Sequence, residues 1–199
     1  DSKFIKVMNF SYKISSARPY TRLIDVELTV TEIETDTLLL KLPNWRPGRY
    51  ELGNFAKNIQ SLKVVTSELS NPVGFEKTDK STWKVNCKGV KNIRVVYNYY
   101  SVQLDGGGCF TSEDQLYINP VHCCIYVPEL TKSIHTIQPE IPDNWQIATG
   151  MKVEGKTLTK EEYLTYASAK RQLQDMMKPQ ALTGGLDGLI ANKEQDIKQ

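Results

Sequence analysis

The chain has 199 residues, 40% of them hydrophobic, and 25 Lys and Arg against 23 Asp and Glu leave a formal net charge of +2. That length supports one substantial core with an appendage rather than two full domains. The balanced charge supplies no field for nucleic acid or an anionic membrane, and no apolar stretch approaches the roughly 20 residues that span a bilayer.

Strand signals fill the first three-quarters. Met8, Phe10, Tyr12 and Ile14 alternate with Asn9, Ser11 and Lys13, and Ile24, Val26, Leu28 and Val30 alternate with Asp25, Glu27, Thr29 and Thr31. This period of two predicts half-buried antiparallel strands. A short helix is expected over 54–59, where Phe55 and Ile59 fall four apart. Further strands are expected at 38–42, 62–65, 83–87, 93–102, 116–118, 123–127 and 145–149, with turn residues between them such as Pro47-Gly48, Asn71-Pro72 and Lys88-Gly89. Many short strands with little helix predict an all-β fold, an antiparallel β-sandwich over residues 1–158. Thr159-Lys160-Glu161-Glu162 reads as a capping box, predicting that an amphipathic helix opens there, with Tyr163, Tyr166, Leu173 and Met176 on one stripe and Pro179 as its stop. Residues 159–199 are thus expected to be a helical extension whose tail, weakly helical from Asp187, is partly ordered or packed on a partner.

Side chains with chemical potential are few. The two histidines, His122 and His135, do not form a His-Glu-x-x-His pair, so a thermolysin-like zinc site is absent from the sequence. With 123–127 read as a strand, neighbouring residues His122 and Cys123 point to opposite faces and make a poor ligand pair. No G-x-S-x-G elbow supplies a nucleophile, and both histidines read as structural rather than as bases of a dispersed triad. Asp79, Glu113 and Asp114 read as solvated loop charges. Cys87, Cys109, Cys123 and Cys124 read first as small buried apolar residues, the alternative being a bridge from Cys109 to Cys123 or Cys124. Asp105-Gly106-Gly107-Gly108 lacks the Lys and Ser/Thr of a phosphate loop and reads as a flexible hairpin connection. No catalytic residue, no metal ligand and no cofactor of this chain's own is therefore assigned.

Two clusters remain as binding candidates. Tyr97, Tyr99 and Tyr100 make an aromatic strand, with Tyr99 and Tyr100 on opposite faces. In Trp45-Arg46-Pro47-Gly48-Arg49-Tyr50, Pro47 and Gly48 suit the central positions of a type II turn that Trp45 and Tyr50 flank. Trp45, Arg46, Tyr50, Tyr99 and Tyr100 are the candidate binding residues.

The second cluster sits in a longer block. Leu40, Leu42, Pro43, Trp45, Pro47, Gly48 and Tyr50, followed by Phe55, Ala56, Asn58 and Ile59, match the pattern Leu-x-Leu-Pro-x-Trp-x-Pro-Gly-x-Tyr and Phe-Ala-x-Asn-Ile. The sequence thereby resembles the N-terminal domain of the glycyl aminopeptidase family, family sixty-one of the metallopeptidases. Further similarity lies in 77–83, 95–100 and 142–149, and together these stretches cover roughly residues 4 to 158. The resemblance implies a non-catalytic domain packing beside a thermolysin-like zinc domain and helping shape its substrate cleft. Zinc and the general base are expected in that second domain, and the sequence departs from the family after 155–163, where that domain would begin. Expected partners are a catalytic peptidase domain or a peptide, with homo-oligomers through the C-terminal helix and neither nucleic acid nor a membrane span. The expected location is the bacterial periplasm, cell envelope or exterior. The first residue, Asp1 rather than Met, is read as the mark of a removed leader or tag. The competing reading is a stand-alone sandwich that binds peptide or carbohydrate through Tyr99, Tyr100 or Trp45.

Overall fold

The structure, a computed structural model, describes residues 8–46, 52–160 and 189–193. Among them the chain forms strands β1 (Asn9–Ser15), β2 (Leu23–Thr31), β3 (Thr37–Lys41), β4 (Ile59–Thr66), β5 (Phe75–Lys77), β6 (Thr82–Asn86) and β7 (Ile93–Tyr100). After these come β8 (Phe110–Thr111), β9 (Gln115–Ile118), the one-turn helix α1 (Pro120–Cys123), β10 (His135–Glu140), β11 (Trp145–Thr149), β12 (Lys152–Glu154), β13 (Thr157–Lys160) and β14 (Leu189–Lys193).

The strands form three sheets, ordered β12-β13-β10-β1-β2-β7-β4, β11-β14-β9-β8 and β3-β6-β5. All named pairs are antiparallel except β1 with β10, which run parallel from Ser11↔Thr136 to Ser15↔Glu140. The architecture is an all-β sandwich. Alternation explains why: Phe10, Tyr12 and Ile14 of β1 and Ile24, Val26, Leu28 and Val30 of β2 are buried while their neighbours are not. They join Leu38, Leu40, Trp83 and Val85 of the three-stranded sheet, and Leu116 and Ile118 of the four-stranded one, in one continuous core.

Three expectations change. Residues 123–127 are not a strand. Pro120, with its fixed φ, starts a helical turn after Asn119, and the chain then crosses the core as a buried segment from Cys123 to Val127, of which Tyr126 alone is partly exposed. Burying irregular backbone requires partners for its polar groups. Here the Tyr97 hydroxyl donates to the Cys123 carbonyl at 2.6 Å and accepts from the Ile125 amide at 3.0 Å, and the Tyr12 hydroxyl donates to the Ile125 carbonyl at 2.7 Å. Tyr126 exchanges two backbone hydrogen bonds with Lys41, of 2.8 and 2.7 Å. Second, Thr159 and Lys160 close β13, paired with Thr136 and His135, instead of opening a helix. The β-period of Thr157-Leu158-Thr159 and the buried Leu158 prevail over the local capping signal. Third, Leu189–Lys193 is a strand rather than a weak helix. The helix expected over 163–177, the turn at Pro47-Gly48 and Tyr50 lie outside the described residues. The short helix over 54–59 is present as a 3-10 turn, Phe55–Asn58.

Candidate functional site

Both binding clusters approach one end of the sandwich, where the loop after β3, the 3-10 turn Phe55–Asn58, the β7–β8 connection and α1 meet. The Gly53 amide donates to the Asn44 carbonyl at 2.6 Å, closing the base of the loop that carries Trp45 and Arg46, both partly buried. Phe55 turns inward and its ring lies 4.2 Å from that of His122 at a tilt of 42°. Only glycine fits at 53, because a Cβ there would stand 2.4 Å from the Phe55 ring. We expect Gly53→Ala to cost about 1–2 kcal/mol by overpacking, and to shift the His122 ring resonances in NMR spectra.

The β7–β8 connection is held by Asp105. Its carboxylate accepts from the Gly107 amide at 2.6 Å and from the Gln103 amide group at 3.0 and 3.1 Å, while the Gln103 amide nitrogen of the backbone donates to the Cys109 carbonyl at 2.9 Å. The Gln103 side chain, then the Gly107 amide and then nearby Arg46 hold the Asp105 carboxyl below its ordinary value. A Cβ on Gly106 would lie 3.8 Å from an Arg46 guanidinium nitrogen, so the guanidinium covers this glycine loop.

Behind these loops stand the thiols of Cys109, Cys123 and Cys124, whereas Cys87 lies beside Asp36 at the far end of β3. All four cysteines are free and buried, as the reading of them as small apolar residues expects. The Cys109 thiol accepts from the Asn119 amide at 3.4 Å and donates to the Asn119 carbonyl at 3.6 Å, and the Cys123 thiol reaches the same carbonyl at 3.7 Å. Burial pushes the Cys109 thiol well up, keeping it protonated. His122, placed by α1, is fully buried near the Cys109 thiol, and among the described residues neither ring nitrogen makes a hydrogen bond of good geometry, so it lacks there the orienting partner of a general base. Because α1 is a helical turn, its relation to Cys123 is not the opposite-face one of a strand. Among the described residues no group of three or more His, Cys, Asp or Glu is arranged to hold a metal ion.

The aromatic strand divides as its period requires. Tyr97 and Tyr99 are each 1% exposed, and Tyr100 is 42% exposed on the other face. Tyr99 accepts a hydrogen bond from the Asn58 side chain at 3.1 Å, and burial pushes its hydroxyl far up. Tyr99 thus ties the Phe55–Asn58 turn to β7, whereas Trp45, Arg46 and Tyr100 keep partly or largely accessible surface. Sequence reasoning does not find His122 as a member of this end, because its position beside Phe55 depends on a 67-residue separation that no local motif encodes. Asp79 caps its own turn, accepting from the Ser81 amide at 2.7 Å, and Glu113 and Asp114 are exposed loop charges.

These features define an all-β domain with several loops meeting at one end. Residues 11–175 match the model of the peptidase M61 N-terminal domain, and the chain belongs to that family. Among solved structures it is similar to an aminopeptidase N family protein from Idiomarina loihiensis, with 20% identity and a TM-score of 0.74 over 94% of this chain and 29% of that one. An M1 zinc metallopeptidase from Deinococcus radiodurans aligns over 93% of this chain and 42% of that one, with 13% identity and a TM-score of 0.42. No curated protein matches the chain significantly. The chain spans less than half the length of these solved relatives.

Proposed function

We propose that this domain packs beside the zinc-bearing catalytic domain of an aminopeptidase and forms part of the wall of its substrate cleft. The observation that carries the reading is the match to the M61 N-terminal family over 11–175. The loop end supports it: Trp45 and Arg46, from the family-like block, stand beside the Asp105 loop on a base fixed by Gly53, Phe55 and His122. A buried base under partly exposed loops suits a surface that shapes a cleft rather than one that reacts.

The test is hydrolysis of glycine and alanine p-nitroanilides. With zinc added, this chain alone is expected to give no turnover. Added to the separately produced zinc domain of an M61 peptidase, it is expected to raise kcat/KM at least ~10-fold, a coupling of about 1.4 kcal/mol, and Trp45→Ala with Arg46→Ala is expected to remove most of that gain. Chelator-sensitive turnover by the chain alone, or no effect on the zinc domain, would refute the proposal.

A second reading has one observation in its favour. Tyr100, Val102 and Leu104, at alternate positions, are 42%, 49% and 51% exposed, an apolar row suited to stacking or to a peptide. Saturable binding of short peptides or oligosaccharides, lost in Tyr100→Ala, would favour this stand-alone role.

A further inference from the structure

β14 occupies an unusual place. It lies between β9 and β11 and, among the described residues, is the sole strand joining β11 to the rest of its sheet. Five residue pairs link it to β11, from Trp145↔Lys193 to Thr149↔Leu189, and four link it to β9, from Leu189↔Ile118 to Asn192↔Gln115. Without it, β9 and β11 would present two facing rows of unpaired amides and carbonyls, a ready template for an extended segment. β9 and β11 lie inside the family-matched residues 11–175, whereas β14 lies beyond them. The gap thus belongs to the family domain, and its filling comes from outside it.

The length of the connection permits exchange. β13 ends at Lys160 and β14 begins at Leu189, so residues 161–188 intervene. A connection of 28 residues can reach at most about 90 Å, enough for β14 to meet the gap of a second copy. We propose that the gap between β9 and β11 is a strand-acceptor site, and that residues 189–193 of a second copy of this chain can fill it in place of the chain's own. The same backbone hydrogen bonds form in either case. The balance then depends on protein concentration. A strand-exchanged dimer is expected when the chain refolds at high concentration.

Two measurements test this. Ala191→Pro removes a backbone donor from the middle of β14 and is incompatible with a central strand. A fluorescently labelled peptide of residues 187–196 is expected to bind this variant saturably and at least ~10-fold more tightly than it binds wild type, whose gap is already filled, a difference of about 1.4 kcal/mol. The same peptide carrying Pro at 191 is expected not to bind. In parallel, hydrogen exchange of the wild-type chain is expected to show the amides of β11 and β14 opening together and before those of β1 and β2. Equal peptide binding to both proteins, no binding to a folded variant, or β11 and β14 exchanging only with the whole domain would each overturn the proposal. Should Ala191→Pro not fold, the exchange pattern of the wild-type chain decides alone.

Discussion

Tyr97→Phe is expected to lower the unfolding free energy by about 3 kcal/mol, far more than the loss of one oxygen from a surface residue. The hydroxyl is buried and has two partners, the Cys123 carbonyl at 2.6 Å and the Ile125 amide at 3.0 Å. Phenylalanine fills the same space but leaves a buried donor and a buried acceptor unpaired, and each such group costs about 1–3 kcal/mol. Tyr99→Phe, two residues along the same strand, removes a single bond to the partly exposed Asn58 and is expected to cost about 1 kcal/mol. Urea denaturation of both variants checks the ranking. Equal losses would mean that the crossing segment does not depend on Tyr97.

Stability is also expected to fall by about 3 kcal/mol as the pH drops from 6.5 to 4, through His135. This side chain is 3% exposed, packs edge-on against Phe10 at 4.2 Å, and hydrogen bonds through Nδ1 to the Ser133 carbonyl at 2.5 Å. Burial lowers its pKa from the ordinary 6.5 to about 4, and the Ser133 bond opposes this only in part. Above pH 6.5 both folded and unfolded forms hold the ring neutral, so its contribution is fully present. Between 6.5 and 4 the unfolded chain takes up a proton that the folded chain refuses, and stability declines with each unit. Below about 4 the folded form also protonates and the decline from this group ends. The His135→Phe variant is expected to show a flatter stability profile over that interval, measured by denaturation at several pH values. An unchanged slope would place the acid sensitivity in other groups.

Much of this fold is legible in the sequence because its principal strands alternate cleanly. β1 and β2 follow the period of two residue by residue, and the same pattern on its own separates buried Tyr99 from exposed Tyr100. The family block is legible through Trp45 and its neighbours, whose residue types recur at fixed spacing. Residues 123–127 are not legible. Cys-Cys-Ile-Tyr-Val is apolar and β-branched enough for a strand, yet its backbone is satisfied by tyrosines 26 to 113 residues away in sequence. Local composition reports that a segment is buried, not which groups accept its hydrogen bonds. The candidate site is legible in the same proportion. Trp45, Arg46 and Tyr100 stand out from the sequence, whereas the meeting of Phe55 with His122 depends on tertiary placement alone. At Thr159 a correct local signal loses to sheet pairing, since Leu158 has a core position to fill.

The parallel pairing of β1 with β10 sets an order in time. As the chain leaves the ribosome β1 finds β2 at once, but its other edge waits for residues 136–140, and β10 in turn waits for β13. Until about residue 160 has emerged, the nascent chain carries an open edge in its largest sheet. Contacts so distant in sequence are slow to form. The domain is therefore expected to finish folding only after nearly all of it has been synthesised, and to depend until then on whatever shields that edge.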